Sequence, residues 1–244
     1  MSIKIFFYDL ETTGTHPDCC IHQISGKIYE IETDTILETF NFHVKPHIGA
    51  RIEKEALEIC GLTLEQLQGY PHAEQAYQAL MGIICSHIER YNPDSKMYLG
   101  GYNIAGFDND FFKDFFSGMG DKYFGSYFYQ SPVVDVYHLA ALPLALRRKY
   151  MPNFKLATVA EFLGVKVDSE SLHEASYDVD LTIQCFRIIR GLTADLPMCI
   201  RKNGIMSIDG LNIGELMNTL KVSREERKAR FNTAPAEKEF FTYE

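Results

Sequence analysis

The chain has 244 residues, 46% apolar and 23% charged, an ordinary globular composition that excludes extended disorder and allows one α/β body with an appendage. Its 24 Lys and Arg against 33 Asp and Glu give a net charge of −9, which argues against a non-specific coat protein for duplex nucleic acid, because such binding rests on basic surface. A nucleic-acid enzyme is not excluded, since cations held in a cleft attract phosphate and only local basic patches are then needed, such as Arg147, Arg148, Lys149 and Lys155.

Met1-Ser2-Ile3-Lys4 runs into a short apolar stretch ending at Asp9, without the length or cleavage pattern of a signal peptide, and no apolar run spans a bilayer. The six cysteines are irregularly spaced in a chain large enough to build its own core, which reads as reduced thiols rather than a disulfide framework. The expectation is a cytoplasmic protein with no membrane partner.

Ile3 to Leu10 is apolar and aromatic up to Asp9 and predicts a buried central strand, closed by the turn at Thr13-Gly14. Residues 21–31 and 35–44 are rich in β-branched and aromatic side chains around Thr33-Asp34, predicting an antiparallel meander. Helical spacing follows over 51–59 and 73–90, then a short strand from Met97 to Gly100 and a helix from about Phe107 to Phe116. A strand at Val133–Val136, helices near 138–149 and 155–163, and a last strong helix from Ser176 to Ile189 complete the pattern. A hairpin set followed by alternating strands and helices implies an α/β fold, a mixed sheet with helices on its faces. Residues 193–244 are read as an appendage, with helical pattern over 208–220 and 223–230.

Three segments carry candidate chemistry. Asp9 and Glu11 stand at i and i+2 of the first strand, so both carboxylates face one side. Such neighbours repel and raise each other's pKa unless a divalent, oxygen-loving cation lies between them, although a strand end whose acids face water gives the same pattern. Asp108 follows Gly101-Tyr102-Asn103-Ile104-Ala105-Gly106-Phe107 and falls in a first helical turn, where an acid also simply complements the helix dipole. Asp178 precedes the apolar stripe Leu181, Cys185 and Ile188 by three residues, which places it at the inner edge of the last helix, while Asp180 points elsewhere. His173 lies just upstream in a loop; alone it would read as a surface or capping residue.

Together these segments resemble the three motifs of the DEDD exonucleases, the DnaQ-like family that includes polymerase proofreading subunits and small RNA-trimming enzymes. Motif one is Asp9-x-Glu11-Thr12-Thr13-Gly14, motif two is Asn103 with Phe107-Asp108, and motif three is His173 five positions before Asp178. That last spacing is the histidine, or DEDDh, pattern, and the resemblance covers about residues 3–192. Ile59-Cys60-Gly61-Leu62-Thr63 is similar to a family loop that often reads His-Gly-Ile, with Cys60 in place of the His; Tyr102 likewise stands where many relatives have His.

The resemblance implies a ribonuclease H-like mixed sheet of five strands and a 3′→5′ exonuclease acting on single-stranded or frayed 3′ ends, DNA before RNA. It implies that Asp9, Glu11, Asp108 and Asp178 hold two Mg²⁺ or Mn²⁺ ions and that His173 accepts the proton of the attacking water. Thr12, Gly61, Leu62, Asn103 and Phe107 become candidates for contacts to the terminal nucleotide. Alternatives are an RNA-directed enzyme, a non-cutting module that docks to a polymerase, and a hydrolase of another fold, which would leave the spacing unexplained. For 193–244 the sequence leaves open polymerase binding, closure over the cleft and self-association.

Three other features invite a functional reading. The run from His16 to His22 contains soft ligands but lacks a second Cys/His cluster at zinc spacing. Asp135 is read as a helix cap rather than a fifth metal ligand, and Arg147 to Lys149 as either a strand grip or a solvated helix end.

Overall fold

The computed structural model describes residues 2–89, 91–172, 174–194, 199–202 and 205–208, with the backbone alone beyond residue 192. The chain divides into two compact units, Met1–Leu192 and Thr193–Glu244.

The first unit is organised by strand β1 (Lys4–Thr12), whose side chains alternate between two cores. Phe6, Tyr8 and Leu10 point into one, Ile5 and Phe7 into the other, and all five are buried. An apolar run of this kind is what a strand covered on both faces requires. β1 pairs antiparallel with β2 (Ile21–Glu30), and β2 pairs antiparallel with β3 (Thr35–His43). On its other side β1 pairs in parallel with β4 (Met97–Gly101), which pairs in parallel with β5 (Phe128–Asp135). The order β3-β2-β1-β4-β5 makes the expected five-stranded mixed sheet flanked by helices.

Helices α1 (Lys54–Cys60), α2 (Leu64–Gln68) and α3 (Ala73–His87) lead from β3 to β4. α3 lays Ala76, Leu80 and Ile84 on the core that also receives Phe112 and Phe116 of α4 (Asp108–Gly118). An aromatic cluster lies within that core: Phe6 lies against Phe40, Phe112 and Phe128 with ring centroids 5.0, 5.8 and 5.1 Å apart, tilted or offset as ring quadrupoles favour. The opposite core takes α6 (Val136–Ala141), α7 (Leu156–Phe162) and α8 (Ala175–Ala194) through Ala140, Val159, Leu181, Cys185 and Phe186. The four-residue turn α5 (Phe124–Tyr127) leads into β5.

Several elements depart from the sequence pattern, among them α2, β5 and α6. α2 was not expected; five residues cannot display a stripe, and it is held by a capping box between Thr63 and Gln66. β5 begins five residues before the expected Val133, because Pro132 reads as a strand breaker yet is tolerated on an edge strand, where its missing N–H is not needed. α6 stops at Ala141 rather than running to 149, since Pro143 has no N–H to carry on the helical hydrogen-bond ladder.

In the second unit, β6 (Cys199–Lys202) and β7 (Ile205–Ile208) form an antiparallel pair, which the sequence pattern did not predict. Apart from Ile208, which ends β7, the segments 208–220 and 223–230 lie outside the described residues. Among the described residues no helix is long and apolar enough to cross a membrane.

Candidate active site

Parallel pairing of β1 to β4 covers only Ile5 to Phe7, so the last part of β1 runs on beyond its parallel neighbour. Asp9 and Glu11 stand on that free stretch, opposite Ser25 and Gln23 of β2. The crevice outside the carboxyl ends of parallel strands is where open α/β sheets place their ligands.

From β4 the chain turns at Asn103, whose backbone is left-handed (φ 60°), makes a single 3₁₀ turn and enters α4 at Asp108. Asp108 is buried, and its carboxylate accepts the backbone N–H of Leu10, tying motif two to β1. The Tyr8 hydroxyl donates to Asn109 Oδ1 at 2.6 Å and fixes the same helix start. Asp178 enters from the first turn of α8, while Asp180 pairs with Lys27 of β2. α8 is further fastened by Arg187 to Asp34 at 2.8 Å and by Arg190 to the Tyr29 hydroxyl at 2.7 Å.

The acids from these three segments share one electrostatic neighbourhood. The Asp9 carboxyl is held well above its ordinary range, first by burial and then by the charges of Asp108, Glu11, Asp178 and Glu174. Glu11 is raised to about 7, mainly by burial, with Asp178 and Glu174 adding to it against a lowering hydrogen bond from Cys60. Burial likewise raises Asp108 to about 7, opposed by the hydrogen bonds its carboxylate accepts. Glu174 was not singled out from the sequence; its signal was an acid one residue before the helix that carries Asp178. His173 lies outside the described residues.

These shifts fix the sign of a pH effect on stability. In the unfolded chain Glu11 and Asp108 lose their protons near 4.5 and 3.8, whereas the folded chain keeps them to about 7. Between those limits the folded state binds more protons, so stability falls as pH rises. The metal-free chain is expected to lose Tm steadily from about pH 4.5 to pH 7, at roughly 1.4 kcal/mol per unit of displacement and about 2–4 °C per kcal/mol. Thermal unfolding in chelator across that range checks it; a flat or rising Tm would contradict the burial assigned to these acids.

Asp135 has a larger task than the cap expected of it. It does cap α6 by accepting the Tyr137 N–H at 3.0 Å, but it also accepts the N–H groups of Asn103 at 2.8 Å and Ala105 at 3.1 Å. One buried carboxylate thus holds the strained turn that delivers Asp108. Asp135→Ala is expected to destabilise the chain by about 2–4 kcal/mol, since three backbone donors lose their shared acceptor. Chemical denaturation measures this, and a loss under about 1 kcal/mol would remove Asp135 as the anchor of the turn.

The expected nucleotide contacts separate into groups. Asn103 is exposed beside an open groove of about 690 Å³ lined by Tyr102, Tyr137, Arg148, Phe154 and Lys155. Within it, the Arg148 guanidinium lies 5.6 Å from the Phe154 ring centroid, whereas Arg147 is turned to the Phe162 carbonyl at 3.0 Å. Phe107 is half-buried and lies tilted against Phe111, with centroids 4.9 Å apart. Gly61 ends α1 in left-handed backbone (φ 64°), the conformation that favours glycine there, and exposes the following Leu62 in part. Thr12 is buried and its hydroxyl donates to the Gly14 carbonyl at 2.8 Å, so its side chain shapes the turn. Cys60 reaches the acids directly, its thiol donating to Glu11 Oε2 at 3.4 Å.

A sequence model of the RNase_T family, described as exonuclease, matches residues 6–186, a span that includes all four motif acids. The fold is similar to that of E. coli exonuclease I in complex with a 5cy-dT13 oligonucleotide, with a TM-score of 0.64 at 20% identity over 80% of this chain and 42% of that one. The zinc-ion-bound form of the E. coli ExoI–ssDNA complex gives 0.65 at 19% identity, over 80% and 42% of the two chains. An ExoI/SSB-Ct complex gives 0.63 at 18%, over 80% and 43%. The chain therefore spans less than half the length of these structures. No curated protein sequence matches it significantly. The chain belongs to the RNase_T exonuclease family, the DnaQ-like group of DEDD-type nucleases.

Proposed function

We propose that this chain is a metal-dependent 3′→5′ exonuclease that releases nucleoside 5′-monophosphates from the 3′ ends of single-stranded DNA, as in proofreading or repair. The observation that carries this reading is the convergence of Asp9, Glu11, Asp108 and Asp178 beyond the end of the parallel strands, with Asp9, Glu11 and Asp108 raised in pKa by burial first and then by neighbouring acids. A crowd of hard oxygen donors that cannot all ionise unaided fits two Mg²⁺ or Mn²⁺ ions, which would relieve the repulsion. When bound, such ions lower the pKa of water and stabilise charge on the leaving 3′ oxygen.

In this reading Asp9, Glu11, Asp108 and Asp178 would hold that pair of ions, and His173 would accept the proton of the attacking water. Asn103 and Phe107 meet the terminal sugar and base, Leu62 packs on the base from the Gly61 turn, and Thr12 keeps the first motif's turn in shape. The groove through Tyr102, Tyr137, Phe154, Arg148 and Lys155 combines ring faces with cationic groups, the chemistry that tracks a single strand. Similarity in fold to exonuclease I in its oligonucleotide complexes supports DNA as the substrate. Residues 1–192 form the catalytic domain and 193–244 an appendage, whose deletion separates a docking role from one in the cleft.

The test is incubation of the purified chain with 5′-labelled single-stranded DNA and matching RNA, in Mg²⁺, Mn²⁺ or chelator, beside Asp9→Ala. Shortening from the 3′ end that needs both metal and Asp9 is expected, faster on DNA. Faster cutting of RNA would reassign the substrate, and no cutting by the folded protein would leave a docking module.

A further inference from the structure

We propose that Glu11, His22 and Cys60 form a site for a soft divalent cation of the Zn²⁺ kind, and that an ion bound there withdraws Glu11 from the catalytic set and inhibits cutting. The inhibition rests on the function proposed above; the binding site does not.

The three side chains come from different elements and meet through local irregularities. Between β1 and β2 the register passes from Glu11 opposite Gln23 to Thr12 opposite Ile21, which leaves His22 as the extra residue of a β-bulge. Bulges re-aim side chains, and this one directs an imidazole to the acid on the neighbouring strand. Cys60 arrives as the last residue of α1, held by the left-handed Gly61 that ends that helix.

One ligand atom from each residue, an oxygen, a nitrogen and a sulfur, lies within 4.8 Å of the other two. A tetrahedral zinc ion with ordinary bond lengths sets such atoms about 3.3–3.6 Å apart. Cys60 Sγ and Glu11 Oε2 already stand 3.4 Å apart, and the His22 nitrogen, within 4.8 Å of both, completes the set by a shift of at most about 1.5 Å.

A second observation points to a ligand independently. His22 is 1% exposed, and neither of its ring nitrogens has a hydrogen-bond partner among the described residues. Burying an unsatisfied polar atom destabilises a fold, so an apolar residue would serve the core better unless the ring has something to bind. The donor set also discriminates, since thiolate and imidazole favour Zn²⁺, whereas Mg²⁺ takes oxygen ligands. The soft residues Cys19 and Cys20, nearer His22 in sequence, do not join this group.

Co²⁺ reports on such a site, because a thiolate ligand gives a sulfur-to-metal charge-transfer band that carboxylates and imidazoles do not. The full chain titrated with Co²⁺ is expected to show this band at one equivalent, to lose it on Zn²⁺ addition, and to lack it in Cys60→Ser. Both Cys60→Ser and His22→Ala are expected to weaken Zn²⁺ at least tenfold, since even changes to outer-shell partners of a metal cost roughly 10–100-fold. In the nuclease assay with Mg²⁺ in excess, Zn²⁺ is expected to inhibit at an at least tenfold lower concentration in the unsubstituted chain than in His22→Ala. Absence of the band, or its persistence in Cys60→Ser, overturns the site whether or not the chain cuts. A normal band with equal Zn²⁺ inhibition of both chains overturns the inhibitory role alone. A chain that binds Co²⁺ through Cys60 but never cuts refutes the nuclease reading and leaves the site standing. Cys60 is half-exposed at a helix end, so the decisive variant does not depend on replacing the buried histidine.

Discussion

Asp9→Asn is expected to lower exonuclease activity by at least about 10³-fold and, in the same protein, to raise the Tm of the metal-free chain. The first effect follows from its place among the acids: of those whose charge raises a neighbour's pKa, Asp108, Glu11 and Asp178 all act on Asp9. An uncharged amide of the same shape cannot hold two cations in register for in-line displacement, and removing even one preorganised electrostatic group commonly costs 10²–10³-fold. The second effect has the opposite sign because, once the unfolded chain releases this proton, the folded chain must either hold it or bury a charge among like charges. Asn removes a buried group that repels its neighbours, so the unliganded fold relaxes, an exchange of stability against activity often met at such sites. Activity assays in Mg²⁺ and thermal unfolding in chelator test both halves. A variant that loses activity and also loses Tm would show that Asp9 is chiefly structural.

His173→Ala is expected to reduce kcat by roughly 10²–10⁴-fold with KM changed only a few-fold, the signature of a proton acceptor that acts in the transition state. An imidazole with an ordinary pKa of about 6.5 is neutral and basic near pH 7. Activity within a few-fold of the unsubstituted chain would remove His173 from the mechanism, and a proportionate rise in KM would make it a substrate contact.

What was legible in the sequence divides along the range of the interactions. β1 could be read because a strand covered on both faces needs an unbroken apolar run, and its termination by Asp9-x-Glu11 set the acids on one side of the sheet. α8 could be read from its stripe, and with it the inward position of Asp178 and the outward one of Asp180. The start of β5 was hidden because Gln130, Ser131 and Pro132 look like a loop, and only the strand's place at the sheet edge makes them acceptable. The reach of Asp135 was hidden for a different reason: two of its three backbone partners lie about 30 residues upstream, and no local pattern records them. The same holds for His22 beside Glu11, which depends on a single skipped residue in the register between two strands. Composition and periodicity record burial and turns, whereas a cross-chain hydrogen bond or a bulge leaves no periodic trace.

The wide separation along the chain of the four acids, from residue 9 in β1 to residue 178 in α8, has a consequence for biosynthesis. A nascent chain can form the β1–β2–β3 meander from its first 43 residues, but the carboxylate set stays incomplete until α8 has left the ribosome and docked. Domains commonly fold as units during synthesis, and here the docking step that buries Val179, Leu181 and Phe186 also delivers the last acid. In the reading proposed above, a fragment that ends before α8 would lack one of the four acids.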